Sequence, residues 1–233
     1  MNFKKLVMGG VAAAVLATTG VTTANAGEIE ANVALSTDYI FRGISQTQND
    51  PAISGGFDYS IDSGFYAGIW ASNVDFGGDA STEIDLYVGW AGEISENVEL
   101  DLGYIYYAYP GDSSTLNYSE FTAGISFGDL GFGLVYSPDY FGSDQDAIVF
   151  NVDYSHGIAK GVSLDWHAGY TTVDGNGTFF VTDDDYLDWS IGLSTSAAGV
   201  DLSLTYYDTD LDSTALLFLD GEDRIVFSVG KSF

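Results

Sequence analysis

The sequence is poor in the residues that would cross-link it or attract polyanions. It has no cysteine, three prolines and six lysine and arginine residues in 233. Without cysteine, a disulfide framework and cysteine-ligated metal sites are excluded. The 34 acidic residues give a formal net charge of −28. This charge argues against nucleic acid or anionic lipid as a partner, because both would be repelled.

The N-terminus has the pattern of an export signal. Lys4 and Lys5 give a basic start, residues 6–17 are apolar, and Ala24-Asn25-Ala26 provides the small residues of a cleavage site. A membrane-spanning helix is the alternative, but it needs roughly 20 apolar residues, and no longer apolar run follows. The sequence therefore predicts a signal peptide at 1–26 and an exported domain at 27–233, which keeps four basic residues: Arg42, Lys160, Arg224 and Lys231.

The rest of the chain alternates apolar and polar residues one for one. Residues 98–106, with the sequence VELDLGYIY, show the pattern, which places the two kinds of residue on opposite faces of a strand. The fold class predicted is all-β, a transmembrane antiparallel up-and-down β-barrel. We expect about twelve strands at 29–40, 52–61, 65–75, 83–93, 98–108, 118–127, 130–137, 147–155, 162–171, 186–196, 200–207 and 223–233.

The connectors are alternately short and long, which is typical of an outer-membrane barrel whose short turns face the periplasm. Charge decides which face meets lipid, because a charged side chain is costly in hydrocarbon. The predicted outward residues are Ile84, Leu86, Val88, Trp90, Ile148, Phe150, Val152, Tyr154, Val162, Leu164, Trp166, Ala168, Val200, Leu202, Leu204 and Tyr206. In the third strand the alternation fits either face. Aromatic residues at strand ends are predicted to form an interfacial girdle: Tyr39, Phe41, residues 104–109, Tyr136, Tyr170, Tyr206 and Tyr207.

Two segments carry a family resemblance. Residues 38–47 (DYIFRGISQT) and 64–74 (GFYAGIWASNV) resemble the TorF family of proposed porins, over the whole exported chain. The last strand, with Ile225, Phe227, Val229 and the final Phe233 on one face, resembles the terminal strand of outer-membrane proteins, although Lys231 departs from it. The resemblance implies an exported outer-membrane barrel and does not imply a substrate.

The candidate pore-lining residues are one arginine and eight acids: Arg42, Asp58, Glu83, Asp85, Glu99, Asp101, Asp153, Asp165 and Asp201. Arg42 has two interpretations, a structural partner for lumen carboxylates or a ligand-binding residue at a constriction. An acidic interior would favour cations in a channel. The same acids could instead be solvated or hydrogen-bonded in a plugged barrel, and the sequence does not decide between an open and a closed lumen.

Signs of other chemistry are weak. Acids crowd two long loops (Asp183, Asp184, Asp185, Asp208, Asp210, Asp212, Asp220, Glu222 and Asp223) without the spacing of a calcium loop, so we expect a solvated rim rather than a divalent-ion bridge to lipopolysaccharide. His156 falls in a predicted turn and His167 on an inward face, with no metal-type spacing. No nucleophile elbow or phosphate loop is present. We predict no enzyme activity and no cofactor.

Three hypotheses follow. The first is an outer-membrane porin for passive diffusion of small hydrophilic solutes, preferring cations, with membrane lipid and lipopolysaccharide as its surroundings. The second is a closed-lumen barrel with a structural or surface-binding role. The third is a soluble, secreted β-sandwich. The solute and the oligomeric state are left open by the sequence.

Overall fold

The computed structural model describes residues 27–112, 116–175, 183–211 and 221–233. The predicted signal peptide at 1–26 lies outside these residues. The strands are β1 (Glu28–Ser36), β2 (Ile40–Phe41), β3 (Ile44–Ser45), β4 (Ala52–Ser60), β5 (Phe65–Asn73), β6 (Thr82–Ser95), β7 (Val98–Ala108), β8 (Tyr118–Phe127), β9 (Leu130–Ser137), β10 (Ala147–Ala159), β11 (Val162–Val173), β12 (Asp185–Ala197), β13 (Val200–Thr209) and β14 (Arg224–Ser232). A 3-10 helix, Tyr140–Gly142, lies between β9 and β10.

Twelve of these strands, β1 and β4 to β14, form one closed antiparallel barrel. Each pairs with its neighbours along the chain, and β1 closes the ring by pairing with both β14 and β4. The predicted fold class is therefore confirmed, and the β-sandwich hypothesis is wrong because the sheet closes on itself. The predicted first strand is too long, since β1 ends at Ser36 and residues 38–40 leave the wall.

The two ends of the barrel differ in their connections. At one end, here called the turn end, β6 and β7 are joined by residues 96–97, and β12 and β13 by Ala198 and Gly199. Both residues of the latter turn have positive φ, 55° and 77°, as the favoured two-residue hairpin turns require. The opposite end, here called the loop end, carries longer connections such as 37–51 and 138–146.

The outer face of the barrel is apolar. Leu86, Val88, Phe150 and Leu204 are 47%, 53%, 53% and 51% exposed, as predicted for their strands. In the third predicted strand, now β5, Phe65 points outward at 59% exposed. An uninterrupted sheet whose exposed side chains are large hydrophobic residues requires an apolar cover. Within the described residues, no helix is long and apolar enough to cross a membrane.

In the described part of the chain, the hydrophobic core lies inside the barrel at the loop end. Inward side chains there are buried, for example Trp70 at 2% and Tyr107 at 1% exposed. Toward the turn end the inward side chains of the same strands, such as Asp58 and Asp101, are half-buried. The barrel therefore has a filled half and a less filled half.

The apolar exterior predicts that purified protein stays monodisperse only in the presence of a surfactant. Removing detergent should expose the outer face to water and drive association through the hydrophobic effect. Size-exclusion chromatography with and without detergent measures this. A monodisperse monomer in plain buffer would contradict the prediction.

Candidate functional site

The segment after β1 folds into the barrel instead of away from it. Strands β2 and β3 pair as a short hairpin, with Phe41 opposite Ile44. The two turn residues, Arg42 and Gly43, both have positive φ, 50° and 79°, which is the mark of a type I′ hairpin turn. All residues from 38 to 47 are buried. We call residues 38–47 the plug.

The plug crosses the lumen from one wall to the other. The Tyr39 hydroxyl donates a 2.7 Å hydrogen bond to Glu83 of β6. Arg42 bonds Glu120 of β8, which is five strands from β1 around the ring. A Cβ on Gly43 would lie 2.2 Å from the side chain of Thr209 on β13, two strands from β1 in the other direction. These contacts on nearly opposite walls place the hairpin across the lumen.

Arg42 and Glu120 form the principal polar contact of the plug. Arg42 Nη2 donates to Glu120 Oε2 at 3.0 Å, and Nη1 lies 2.8 Å from Oε1, with both side chains 2% exposed or less. The Tyr107 hydroxyl donates to the same Oε2 at 3.0 Å. Burial opposes the charge of Arg42, but the Glu120 carboxylate holds the pKa of Arg42 well above its ordinary value. Removing one partner of such a buried pair costs about 3–5 kcal/mol.

The base of the plug is fixed by Asp38. Its Oδ1 accepts hydrogen bonds from the hydroxyls of Ser45 at 2.7 Å and Thr47 at 2.8 Å. Its Oδ2 accepts one from Arg224 Nη1 of β14 at 3.1 Å. The base is therefore joined to the wall next to β1, while the tip is held by the far wall.

Aromatic rings fill the space around the plug. Tyr39 packs edge-on against Trp70, with ring centroids 5.4 Å apart. Phe41 lies 6.0 Å from Phe141, which comes from the 3-10 helix in the β9–β10 loop and packs 4.8 Å from Tyr118. Burial and the nearby Glu83 carboxylate raise the pKa of the Tyr39 hydroxyl well above its ordinary value, so that it remains a hydrogen-bond donor.

The predicted aromatic girdle is wrong for part of its members. Tyr39, Phe41, Tyr107 and Tyr109 are at most 5% exposed and belong to the core inside the barrel. Tyrosines on the outward face of their strands fit the prediction, since each has an exposed ring and a hydroxyl paired with a polar residue at or beyond a strand end. These are Tyr106 with Asn117, Tyr136 with Asp146, and Tyr170 with Asp185. For a tyrosine near a strand end, the face of the strand therefore decides its place: an outward ring belongs to the girdle and an inward ring to the core.

Toward the turn end, two acids are bound by tyrosines that lie along the wall. Tyr66 donates to Asp101 at 2.9 Å and Tyr87 donates to Asp58 at 2.5 Å. In the register of β5 and β6, each tyrosine lies opposite a glycine on the neighbouring strand. A Cβ on Gly89 would meet the Tyr66 ring at 2.3 Å, so the ring covers the glycine instead of projecting across the lumen.

The opposite wall carries a second polar group. His167 Nδ1 lies 2.7 Å from Asp153, and Nε2 lies 3.2 Å from Asp188. Asp165 accepts hydrogen bonds of 2.6 Å from the hydroxyls of Ser155 and Ser194. Asp153 and Asp165 are thus hydrogen-bonded along this wall, whereas Asp188 lies beside the plug tip at Gly43.

The structure divides the predicted lining residues into two groups. Arg42, Glu83 and Asp85 are buried at the plug. The remaining six lie on inward strand faces closer to the turn end: Asp58, Glu99, Asp101, Asp153, Asp165 and Asp201. That any of them lines a conducting pore stays a prediction. Sequence reasoning missed Glu120 and Asp188, although both alternate with exposed outward residues, Phe121 and Leu187.

Residues 21–233 match the family described as "Bacterial protein of unknown function (Gcw_chp)", and the chain belongs to this family. This match does not confirm the resemblance to the TorF family, which stays a prediction. Among curated proteins, none matches this chain.

Solved porin structures share the fold. The chain is similar to the NanC porin, at 12% identity and a TM-score of 0.56, with 87% of this chain and 98% of that one covered. It is also similar to the KdgM porin, at 10% identity and a TM-score of 0.56, covering 88% and 98%. A structure of KdgM in complex with disordered oligogalacturonate matches at 11% identity and a TM-score of 0.53, covering 88% and 98%.

Gly43 provides a test of the plug. Gly43→Val should expel the plug tip, because the new side chain meets Thr209 Cγ2 at 2.2 Å and Asp188 Cβ at 2.9 Å. Overpacking of this kind costs about 1–3 kcal/mol. Trypsin measures the result, since Arg42 is the only basic residue between Lys5 and Lys160. We expect cleavage after Arg42 to be about tenfold faster than in the wild type.

Gly128→Val is the matched control. Gly128 also has positive φ, 61°, but a Cβ there meets no atom within 4 Å, so the backbone penalty is similar and the clash is absent. Cleavage after Arg42 should be unchanged in this variant. Equal acceleration by the two substitutions would contradict the placement of the plug tip.

Proposed function

We propose that this protein is an outer-membrane channel for small hydrophilic solutes, and that the plug closes its lumen in the resting state. The observation that carries the proposal is that a segment folded in from a loop crosses the lumen and completes the core of the loop-end half. The apolar exterior supports insertion in the outer membrane among its lipids and lipopolysaccharide, with the turn end toward the periplasm. The proposed role is transport and not catalysis.

The plug is suited to movement because few polar bonds hold its tip. The tip is fixed to the far wall by the Arg42–Glu120 pair and the Tyr39–Glu83 hydrogen bond. Residues 48–50, which connect the plug to β4, are exposed. Loss of the two tip contacts would allow the hairpin to withdraw while its base at Asp38 stays attached to β14. The closed state therefore depends on a small number of identifiable bonds.

Cation preference is the finer part of the proposal. The inward residues beyond the plug are acidic, as the two walls at Asp58 and Asp101 and at Asp153 and Asp165 illustrate. Carboxylates lining a narrow aqueous path attract cations and repel anions. His167 lies between Asp153 and Asp188, and its single charge, when protonated, would offset only part of theirs.

A second candidate is a closed barrel with a structural or surface-binding role. The tight packing of the plug favours this hypothesis. Ser45, Gln46 and Thr47 are at most 1% exposed, and plug residues form part of the hydrophobic core. Under this hypothesis, the Arg42–Glu120 pair serves stability alone and no variant of it conducts.

Glu120→Gln should open the channel. The substitution leaves the Arg42 guanidinium buried without its counter-charge, at a cost of about 3–5 kcal/mol that withdrawal of the plug would relieve. Planar-bilayer recordings of purified protein should show conductance steps that are at least tenfold more frequent than in the wild type. Glu99→Gln is the control, because Glu99 is on an inward face away from the plug, and its step frequency should match the wild type.

The absence of conductance in planar-bilayer recordings would decide between the two candidate functions. If wild type, Glu120→Gln and a variant lacking residues 38–47 all fail to conduct while remaining folded, the channel is refuted and the closed barrel stands. Folding is checked by the change in gel mobility on heating, which folded barrels show.

Ion selectivity is tested in the conducting Glu120→Gln background. A potassium chloride gradient should give a reversal potential on the cation-selective side, and Asp58→Asn with Asp101→Asn should reduce it, because two lumen charges are removed. Asp62→Asn, in the turn between β4 and β5, is the control with little expected effect. Anion selectivity would contradict the proposal.

A further inference from the structure

Three carboxylates are buried together beside the plug. Glu83 and Asp85 lie on the inward face of β6, and Glu120 lies on the inward face of β8, at 2%, 0% and 1% exposed. Asp85 lies opposite Tyr107 in the register of β6 and β7, and the Tyr107 hydroxyl donates to Glu120. We call Glu83, Asp85 and Glu120 the acidic cluster. Three acids this deeply buried need positive charge or hydrogen-bond donors nearby.

The plug satisfies the acidic cluster only in part. Arg42 pairs with Glu120, and Tyr39 donates to Glu83. Neither carboxylate oxygen of Asp85 has a hydrogen-bond partner among the described residues, although both atoms are inaccessible to solvent. The closed state therefore pairs Glu120 with a cation and gives neither oxygen of Asp85 a hydrogen-bond donor among the described residues.

The surroundings of Arg42 have the features of a guanidinium site. Its Nη2 hydrogen-bonds one oxygen of Glu120, and its Nη1 lies at ion-pair distance from the other, so both carboxylate oxygens face the guanidinium. The centre of the guanidinium lies 5.3 Å from the ring of Tyr140, within cation–π range. Glu120, Tyr107 and Tyr140 belong to the wall and to another loop, so they would remain in place if the plug withdrew.

Arg42 is held in this site at a conformational cost. Its φ of 50° belongs to the left-handed region, which a non-glycine side chain adopts at a cost of about 1–3 kcal/mol. The electrostatic gain at Glu120 offsets this cost in the closed state. A free solute with the same cationic group would gain the same contacts without the strained turn.

We infer that the acidic cluster is a binding site for small organic cations, namely guanidinium and primary ammonium compounds, and that Arg42 occupies it as a tethered internal ligand. A solute of this class displaces Arg42 from Glu120, and its remaining N–H groups supply the hydrogen-bond donors that Asp85 lacks. The inference rests on the proposed channel and deepens it, because it names the class of solute that opens the plug. No three acidic or histidine side chains in the described part of the chain are placed to hold a metal ion.

Arg42→Asn is the variant that tests the site. Asparagine tolerates positive φ, so the turn is kept while the internal cation is removed. Methylguanidinium chloride is the probe, and calorimetry in detergent measures its affinity. We expect a Kd at least tenfold lower for Arg42→Asn than for the wild type, because Arg42 no longer competes.

Further variants separate the site from general attraction to an acidic protein. Adding Glu120→Gln or Asp85→Asn to Arg42→Asn should each weaken methylguanidinium binding about tenfold, whereas adding Glu99→Gln should not. Equal affinity in Arg42→Asn and wild type, or displacement of methylguanidinium by an equal concentration of sodium, would overturn the inference.

Binding and conduction are measured separately, so the two proposals can fail separately. A barrel that never conducts but binds methylguanidinium in the Arg42→Asn form would refute the channel and support the site. A barrel that conducts in the Glu120→Gln form while Arg42→Asn binds no methylguanidinium would support the channel and refute the site.

Discussion

The requirement that a buried charge be paired governs the loop-end half of this barrel. Arg42 is buried in the lumen, and Glu120 on the far wall is its counter-charge. The pair fixes the depth and direction of the plug, because a guanidinium displaced by a few ångströms would lose both carboxylate contacts. Gly43 contributes in a different way, since the close approach to Thr209 and Asp188 leaves no space for a side chain. Charge and shape thus specify the same position.

The plug also explains how the chain obtains a compact core without cysteine. A closed sheet of twelve strands has an interior wider than its own side chains fill. Here the plug and the 3-10 helix Tyr140–Gly142 bring Phe41, Tyr140 and Phe141 into that space, where they pack against tyrosines of the wall. The apolar exterior and this internal core are separate, and each is formed by alternate residues of the same strands.

The sequence predicts the wall well and the plug poorly, for a physical reason. Alternation is a local property, so residues such as Leu86 and Val88 reveal their face from their neighbours alone. The first loop has no alternation to interpret. Its position depends on contacts between residues that are distant in the sequence: Tyr39 and Glu83 are separated by 44 positions, and Arg42 and Glu120 by 78. One local signal was present, because Arg42-Gly43 between apolar residues forms a two-residue hairpin turn.

The polar groups beside the plug are only partly satisfied. One guanidinium faces Glu120, while neither oxygen of Asp85 has a hydrogen-bond partner in the described structure, and a buried carboxyl group without such a partner is unfavourable. The aromatic core stabilises the plug, and the unsatisfied carboxyl group beside it opposes burial, so the two effects act against each other in one small region. In the proposed channel, an added cation with free N–H donors would satisfy Asp85 and shift this balance. The location of Asp85 would then connect the polar groups of the barrel wall to the opening of the lumen.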